Sequence, residues 1–181
     1  LLGRDIGSFA VNFDNRFIDY NKELESKYSN QAYRDPVIFD QNKLIVRQIP
    51  SDRILVCYDS EKYYCDQTTY VVNHNKKDQQ ELKFVLALLS SSLFAFYHKI
   101  NFSDSKKTFP KVKGTHIIKF PYLKFNSEKH SRVIESVNKV VTAKKENPEA
   151  DTSKLESELD QLVYELYGLS EEEIGIVEGS V

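Results

Sequence analysis

The chain has 181 residues, of which 40% are hydrophobic and 29% charged. That is enough to bury one sizeable core, alone or with a helical appendage, and it lies outside the composition of disordered chains. No apolar run approaches the roughly 18 residues a membrane helix needs, and LLGRDIGSF has neither the basic leader nor the small-residue cleavage site of a signal peptide. A cytoplasmic protein with no membrane partner is therefore expected. Met is absent at position 1 and throughout, so the sequence is expected to be a piece of a longer chain. Cys57 and Cys65 share no CxxC spacing, and His74, His98, His116 and His130 are scattered. Reduced thiols and no metal site are the expectation.

Residues 1–75 read as β-rich. Arg16 to Tyr20 (RFIDY) alternates, and 21–36 is a polar connection, helical in part. Val37 to Phe39, Leu44 to Val46, Ile54 to Cys57 and Tyr70 to Val72 are short apolar runs separated by turn residues, the pattern of a strand meander. Pro50-Ser51-Asp52 and Asp59-Ser60-Glu61 supply the turn chemistry. Asp78 with Glu81 three residues on predicts a capping box. Leu82, Val85, Leu86, Leu89, Leu93 and Phe96 then predict one amphipathic helix over 79–98, packed on the sheet. Residues 100–125 are irregular, with Ile117 to Phe120 a short strand or a helical turn.

From Ser127 the period is helical. Val133, Ile134, Val137, Val140 and Val141 form one stripe, and Leu155, Leu159, Leu162, Val163 and Leu166 a second. Asn147-Pro148 breaks the chain between them, and Asp151 or Thr152 caps the second helix. The short connection predicts an antiparallel pair. Gly168 stops the second helix, and Ser170 with Glu173 opens a short terminal one ending near Gly179. The fold class expected is α/β (α+β): a β-rich antiparallel or mixed sheet with one packed helix over 1–125, then a helical hairpin and short helix over 126–181.

The sequence lacks the common loops of catalysis. There is no GxGxxG or GxxxxGK[ST] for a nucleotide and no GxSxG elbow. Asn147-Pro148-Glu149-Ala150 lacks the second Pro and the aromatic of an amino-methyltransferase motif and falls in a helix–helix turn. Asp59, Glu61 and Lys62 read as a solvated turn rather than a nuclease cluster. Glu171-Glu172-Glu173 needs only the helix dipole to explain it. No catalytic, cofactor-binding or metal residue is assigned.

Charge is distributed unevenly. Residues 1–125 carry 19 Lys and Arg against 14 Asp and Glu, a net +5, while 126–181 carry 6 against 13, a net −7. Seven Lys against one acid fall within 99–124. The mildly acidic whole therefore conceals a local basic footprint. Lys106, Lys107, Thr108, Lys111, Lys113 and Thr115 stand in an irregular stretch where lysines alternate with hydroxyls, suited to phosphate contact. Arg47 and Gln48, side by side at a strand exit, have the side chains that bond guanine and adenine edges. A solvated surface is the plain alternative for the lysines, and a fold-stabilising hydrogen bond is the alternative for either strand residue.

The order KLIVRQ, a Tyr58-Asp59 turn and a strand ending TTYVV, followed by LALLSSSLFAFYHK and KTFPKVKGTHIIKFPY, resembles the TaqI-like C-terminal specificity domain. That family forms the target-recognition domain of N6-adenine DNA methyltransferases and of fused type II restriction–modification enzymes. LLGRDIGSF resembles the Arg-Asp-Ile stretch that opens such domains, and SKLESELDQLVYELYGLSEEEIGIVEG is similar to their helical end. Ser90-Ser91 departs from the pattern, since relatives carry an Asn there. The resemblance implies double-stranded DNA as partner, together with an N-terminal methyltransferase domain of the same protein. S-adenosylmethionine and base flipping would belong to that domain, with no cofactor and no catalysis in this fragment. An interaction module, or a separate specificity subunit of a restriction–modification complex, is the competing reading.

Overall fold

The computed structural model describes residues 1–20, 33–74, 78–102 and 111–180. Three of the apolar runs become strands: β1 (Lys43–Arg47), β2 (Val56–Asp59) and β3 (Thr69–Val72). They form a wholly antiparallel sheet in the order β2-β1-β3, not a meander. β1 takes the centre because it is the strand that both faces bury. Leu44 and Val46 enter the main core, whereas Ile45 packs with Cys57 and Ile6 on the opposite face.

The second face is covered by the start of the chain. A 3-10 turn at Gly3–Asp5 and an Ile6–Val11 bridge lay that segment over β1 and β2. Gly3 N–H donates to Thr68 Oγ1 at 2.7 Å, and a Cβ on Gly3 would stand 2.9 Å from that oxygen. Only glycine allows this approach. Two expected strands do not form. RFIDY has no ladder; Arg16 is drawn into an ion pair at 2.5 Å with buried Asp5, while Phe17 and Ile18 face solvent. Val37 to Phe39 is occupied by a 3-10 turn at Pro36–Ile38, because Asp35 accepts from Val37 N–H and Pro36 presets the turn. Most of the 21–36 connection lies outside the described residues. Asp59 is not a solvated turn residue. It is fully buried in an ion pair with Lys43 and accepts from Glu61 and Tyr63 N–H at 2.8 and 2.9 Å.

The single helix expected over 79–98 is two: α1 (Gln79–Ser90) and α2 (Ser92–Phe102), bent by 59° at Ser91. Ser91 Oγ donates to Leu88 C=O at 2.7 Å and accepts from Phe94 N–H at 3.2 Å, replacing helical bonds with local ones. The kink turns Phe94, Ala95 and His98 into the core in place of Leu93 and Phe96. Asp78 caps α1 by accepting from Gln80 and Glu81 N–H. The reciprocal half of the box belongs to His74, whose Nδ1 accepts from Asp78 N–H while its Nε2 meets Glu81.

A short helix α3 (Gly114–Lys119) follows, then α4 (Ser131–Glu146), α5 (Ser153–Tyr167) and α6 (Glu171–Glu178). The helical-turn alternative holds for 117–120. α4 starts four residues later than the periodicity alone implies, after a turn in which His130 stacks on Phe84 at 4.3 Å. Arg132 at the start of α4 reaches Glu165 near the end of α5, so the two run antiparallel as expected. Gly168 ends α5 at φ +68°, and Ser170 and Glu173 exchange both bonds of the capping box. Val133, Val137, Val140, Leu159 and Val163 share one core with Leu44, Val46 and α1. Asp160 of α5 ties the hairpin further in. It accepts from Ser92 N–H and Oγ–H at 2.9 and 2.8 Å and pairs with Arg53 at 2.6 Å.

No single helix among the described residues is long and apolar enough to cross a membrane. α1 and α2 pass by length and composition only as a bent pair, and their apolar side chains fill the core.

Candidate nucleic-acid interface

The strand exit and the segment before α3 are distant in sequence and adjacent in space. Gln48 N–H donates to Thr68 C=O at 3.1 Å, and Gln48 C=O accepts from Val112 N–H at 2.8 Å. Residues 111–113 therefore continue the sheet edge at the end of β1. Arg47 stands one residue from that junction on one strand, and Lys111 and Lys113 one residue from it on the other. Val112 is fully buried between its two exposed lysines, so burial itself turns both ammonium groups outward. Among the described residues, the side chains of Arg47, Lys111 and Lys113 have no ion-pair or hydrogen-bond partner. Thr115 is exposed on α3 beside them. Gln48 differs: its amide donates to Gln67 C=O at 2.5 Å, which is the fold-stabilising alternative. Lys106, Lys107 and Thr108 lie outside the described residues.

α3 is fastened to its surroundings. His116 Nδ1 accepts from Lys113 N–H at 3.3 Å and stands 3.0 Å from His98 Nε2. An Nδ1 that accepts a backbone proton is itself unprotonated, so His116 is neutral and His98 is the donor through Nε2. Phe102 stacks on His116 at 4.1 Å, Tyr97 Oη donates to Lys119 C=O at 2.9 Å, and the ring of Tyr70 lies against Gly114. Burial pushes the pKa of both histidines below the ordinary value. The neighbouring imidazole adds to this for His98, and Lys113 and Lys119 add to it for His116. Sequence reading missed this pair. Its only signal is a histidine at core-facing positions of two segments separated by a basic stretch.

Lone cations are not confined to this junction: among the described residues Arg4, Lys62, Lys124, Lys129 and Lys154 also have no side-chain ion pair or hydrogen bond, whereas those in the cleft beside β2 are engaged. A cleft of about 570 Å³ between β2 and the end of α4 is lined by Tyr58, Tyr63, Lys144 and Lys145 among others. There Lys144 donates to Pro148 and Ala150 C=O, and Lys145 pairs with Glu61 at 2.9 Å. Burial raises the pKa of both cysteine thiols, which suppresses the reactive thiolate. No group of three His, Cys, Asp or Glu side chains among the described residues could hold a metal ion.

Residues 1–122 match the family described as the TaqI-like C-terminal specificity domain, and the chain belongs to that family. No curated protein matches the chain. Among solved structures it is similar to the type IIL restriction–modification enzyme MmeI, determined in complex with DNA. The TM-score is 0.60 at 15% identity, over 78% of this chain and 21% of that one. At that identity the likeness is one of fold. The chain spans about a fifth of the length of the enzyme it matches.

Proposed function

We propose that this chain is the target-recognition domain of a site-specific DNA-modifying enzyme and binds duplex DNA through the edge formed by Arg47, Lys111, Lys113 and Thr115. The observation that carries this reading is the hydrogen-bonded junction at Gln48, which brings Arg47 of one segment to the exposed, unpartnered Lys111 and Lys113 of another. Such groups neutralise phosphates and set register, while a subset reads base edges. Lys106, Lys107 and Thr108 extend the same basic segment in sequence. The partner domain would be an N-terminal adenine methyltransferase holding S-adenosylmethionine, in a cytoplasmic enzyme, and this chain itself would be non-catalytic. Residues 1–125 would carry recognition, and the acidic 126–181 would brace them away from the phosphates.

The test is the salt dependence of duplex binding. Each phosphate neutralised contributes about −0.9 to the slope of log K against log salt. Replacing Lys111 and Lys113 together by Ala should weaken binding and flatten that slope by about 1.8. An unchanged affinity and slope would remove this surface from the interface and favour a protein-docking module.

A further inference from the structure

α3 turns one face outward, and that face is not uniformly polar. Thr115, Ile118 and Lys119 stand at i, i+3 and i+4, the spacing that groups side chains on one side of a helix. All three are exposed, while His116 and Ile117 are buried. Ile118 is 79% exposed. Single apolar side chains on a protein surface are ordinary, but the setting of this one is not. Lys119 and Thr115 share its face, and Lys111 and Lys113 lead into its helix.

The helix is also held on several sides. His98 and Phe102 grip His116, Tyr97 grips Lys119 C=O, and Tyr70 lies under Gly114. A β-branched side chain on a helix keeps one strongly preferred χ1 rotamer. The methyl groups of Ile118 therefore point in a fixed direction from a fixed platform whose outer side also carries Thr115 and Lys119. An apolar group on a partner drawn in by the nearby lysines would pack against these methyls. At the edge of a DNA base, the group that does so is the thymine 5-methyl in the major groove.

We propose that Ile118 is a base-reading residue, packing on a thymine 5-methyl group while the surrounding lysines hold phosphates. This rests on the reading of the surface as a duplex-DNA interface. It adds a specificity determinant that carries no hydrogen-bonding group.

The experiment uses the 181-residue chain and a pool of random duplexes. The sequence enriched by the wild-type chain is resynthesised with each thymine in turn replaced by deoxyuridine, which removes only the methyl group. One replacement should weaken wild-type binding about fourfold, the worth of one buried methyl-sized group. The same replacement should leave Ile118→Ala unaffected, and Ile118→Val should retain part of the response. Equal urea midpoints for the three proteins would show that the exposed substitution leaves the fold intact. If no deoxyuridine substitution distinguishes wild type from Ile118→Ala, the assignment is overturned, although DNA binding stands. A uniform loss across all sequences for Ile118→Ala would overturn it in favour of a wedge between base steps. If the wild-type chain enriches no sequence and its binding ignores salt, the DNA reading itself falls, and this inference with it.

Discussion

Replacing Asp160 by Ala tests whether the helical hairpin and the sheet form one cooperative unit. Asp160 is 4% exposed, and its carboxylate has three donors: Ser92 N–H, Ser92 Oγ–H and the guanidinium of Arg53. Both Ser92 groups are buried, so removing the carboxylate leaves two donors without an acceptor, at about 1–3 kcal/mol each. Arg53 is less confined and regains water, so it adds little. The two stranded donors together make the expected loss about 2–6 kcal/mol, a large share of a typical domain's stability of roughly 5–15 kcal/mol. Asp160→Asn keeps the shape and one acceptor and should cost about 1–2 kcal/mol. Ser92→Ala should make a subsequent Asp160→Ala cheaper by at least about 0.5 kcal/mol. Urea unfolding followed by far-ultraviolet and tyrosine signals gives the midpoint and slope. A drop in midpoint at constant slope, with both probes coincident, is the expected result. A loss under about 1 kcal/mol, or two separate transitions, would refute the coupling of hairpin to sheet.

Three other perturbations have definite signs. His98 and His116 have depressed pKa values in the folded chain, so the unfolded chain binds more protons as pH falls through the ordinary histidine value of about 6.5. Their stabilisation is complete above that pH and is lost progressively below it. Urea midpoints from pH 7.5 to 5.5 should fall, and His98→Gln with His116→Gln should flatten that fall. Lys43→Ala leaves Asp59 buried without a counter-charge and should cost about 3–5 kcal/mol; Lys43→Met combined with Asp59→Asn should recover most of it in the same assay. Gly168→Ala should cost about 1 kcal/mol, because φ is +68° while no atom lies within 4 Å of the added methyl. A fall in Tm of about 2–4 °C would register it, and Gly168→Asn should fall less.

Local chemistry made part of this fold legible. Asp78, Gly168, Asn147-Pro148 and Ser170 with Glu173 act within a few residues of themselves, and each bounds a helix where the sequence places it. The central position of β1 depends on the chain's first residues covering Ile45, which periodicity along 43–47 does not contain. The break at Ser91 is local, but the start of α2 is held by Asp160, 68 residues from Ser92. An apolar stripe running straight through three serines therefore read as one helix. The candidate surface divides the same way. Exposed lysines flanking a buried valine are visible in KVK, but their junction with Arg47 depends on the bond from Val112 to Gln48. The histidine clasp depends on two segments meeting across a stretch that composition alone describes.

The Lys43–Asp59 pair has a consequence for how the sheet is assembled. These residues face one another as the first rung of a ladder only four rungs long between β1 and β2. A ladder so short, between runs of similar apolar residues, is weakly specified by packing. A slip of one residue would set Lys43 against Tyr58 or Ser60 and strand both charges in a dry interior. Side-chain orientation would reverse at the same time. The pair thus acts as a key that fits one alignment, and the exit of β1 is delivered to the same place however the neighbouring loops vary in length or composition. Loops can then diverge around an edge whose position is set by a bond on the far end of the strand.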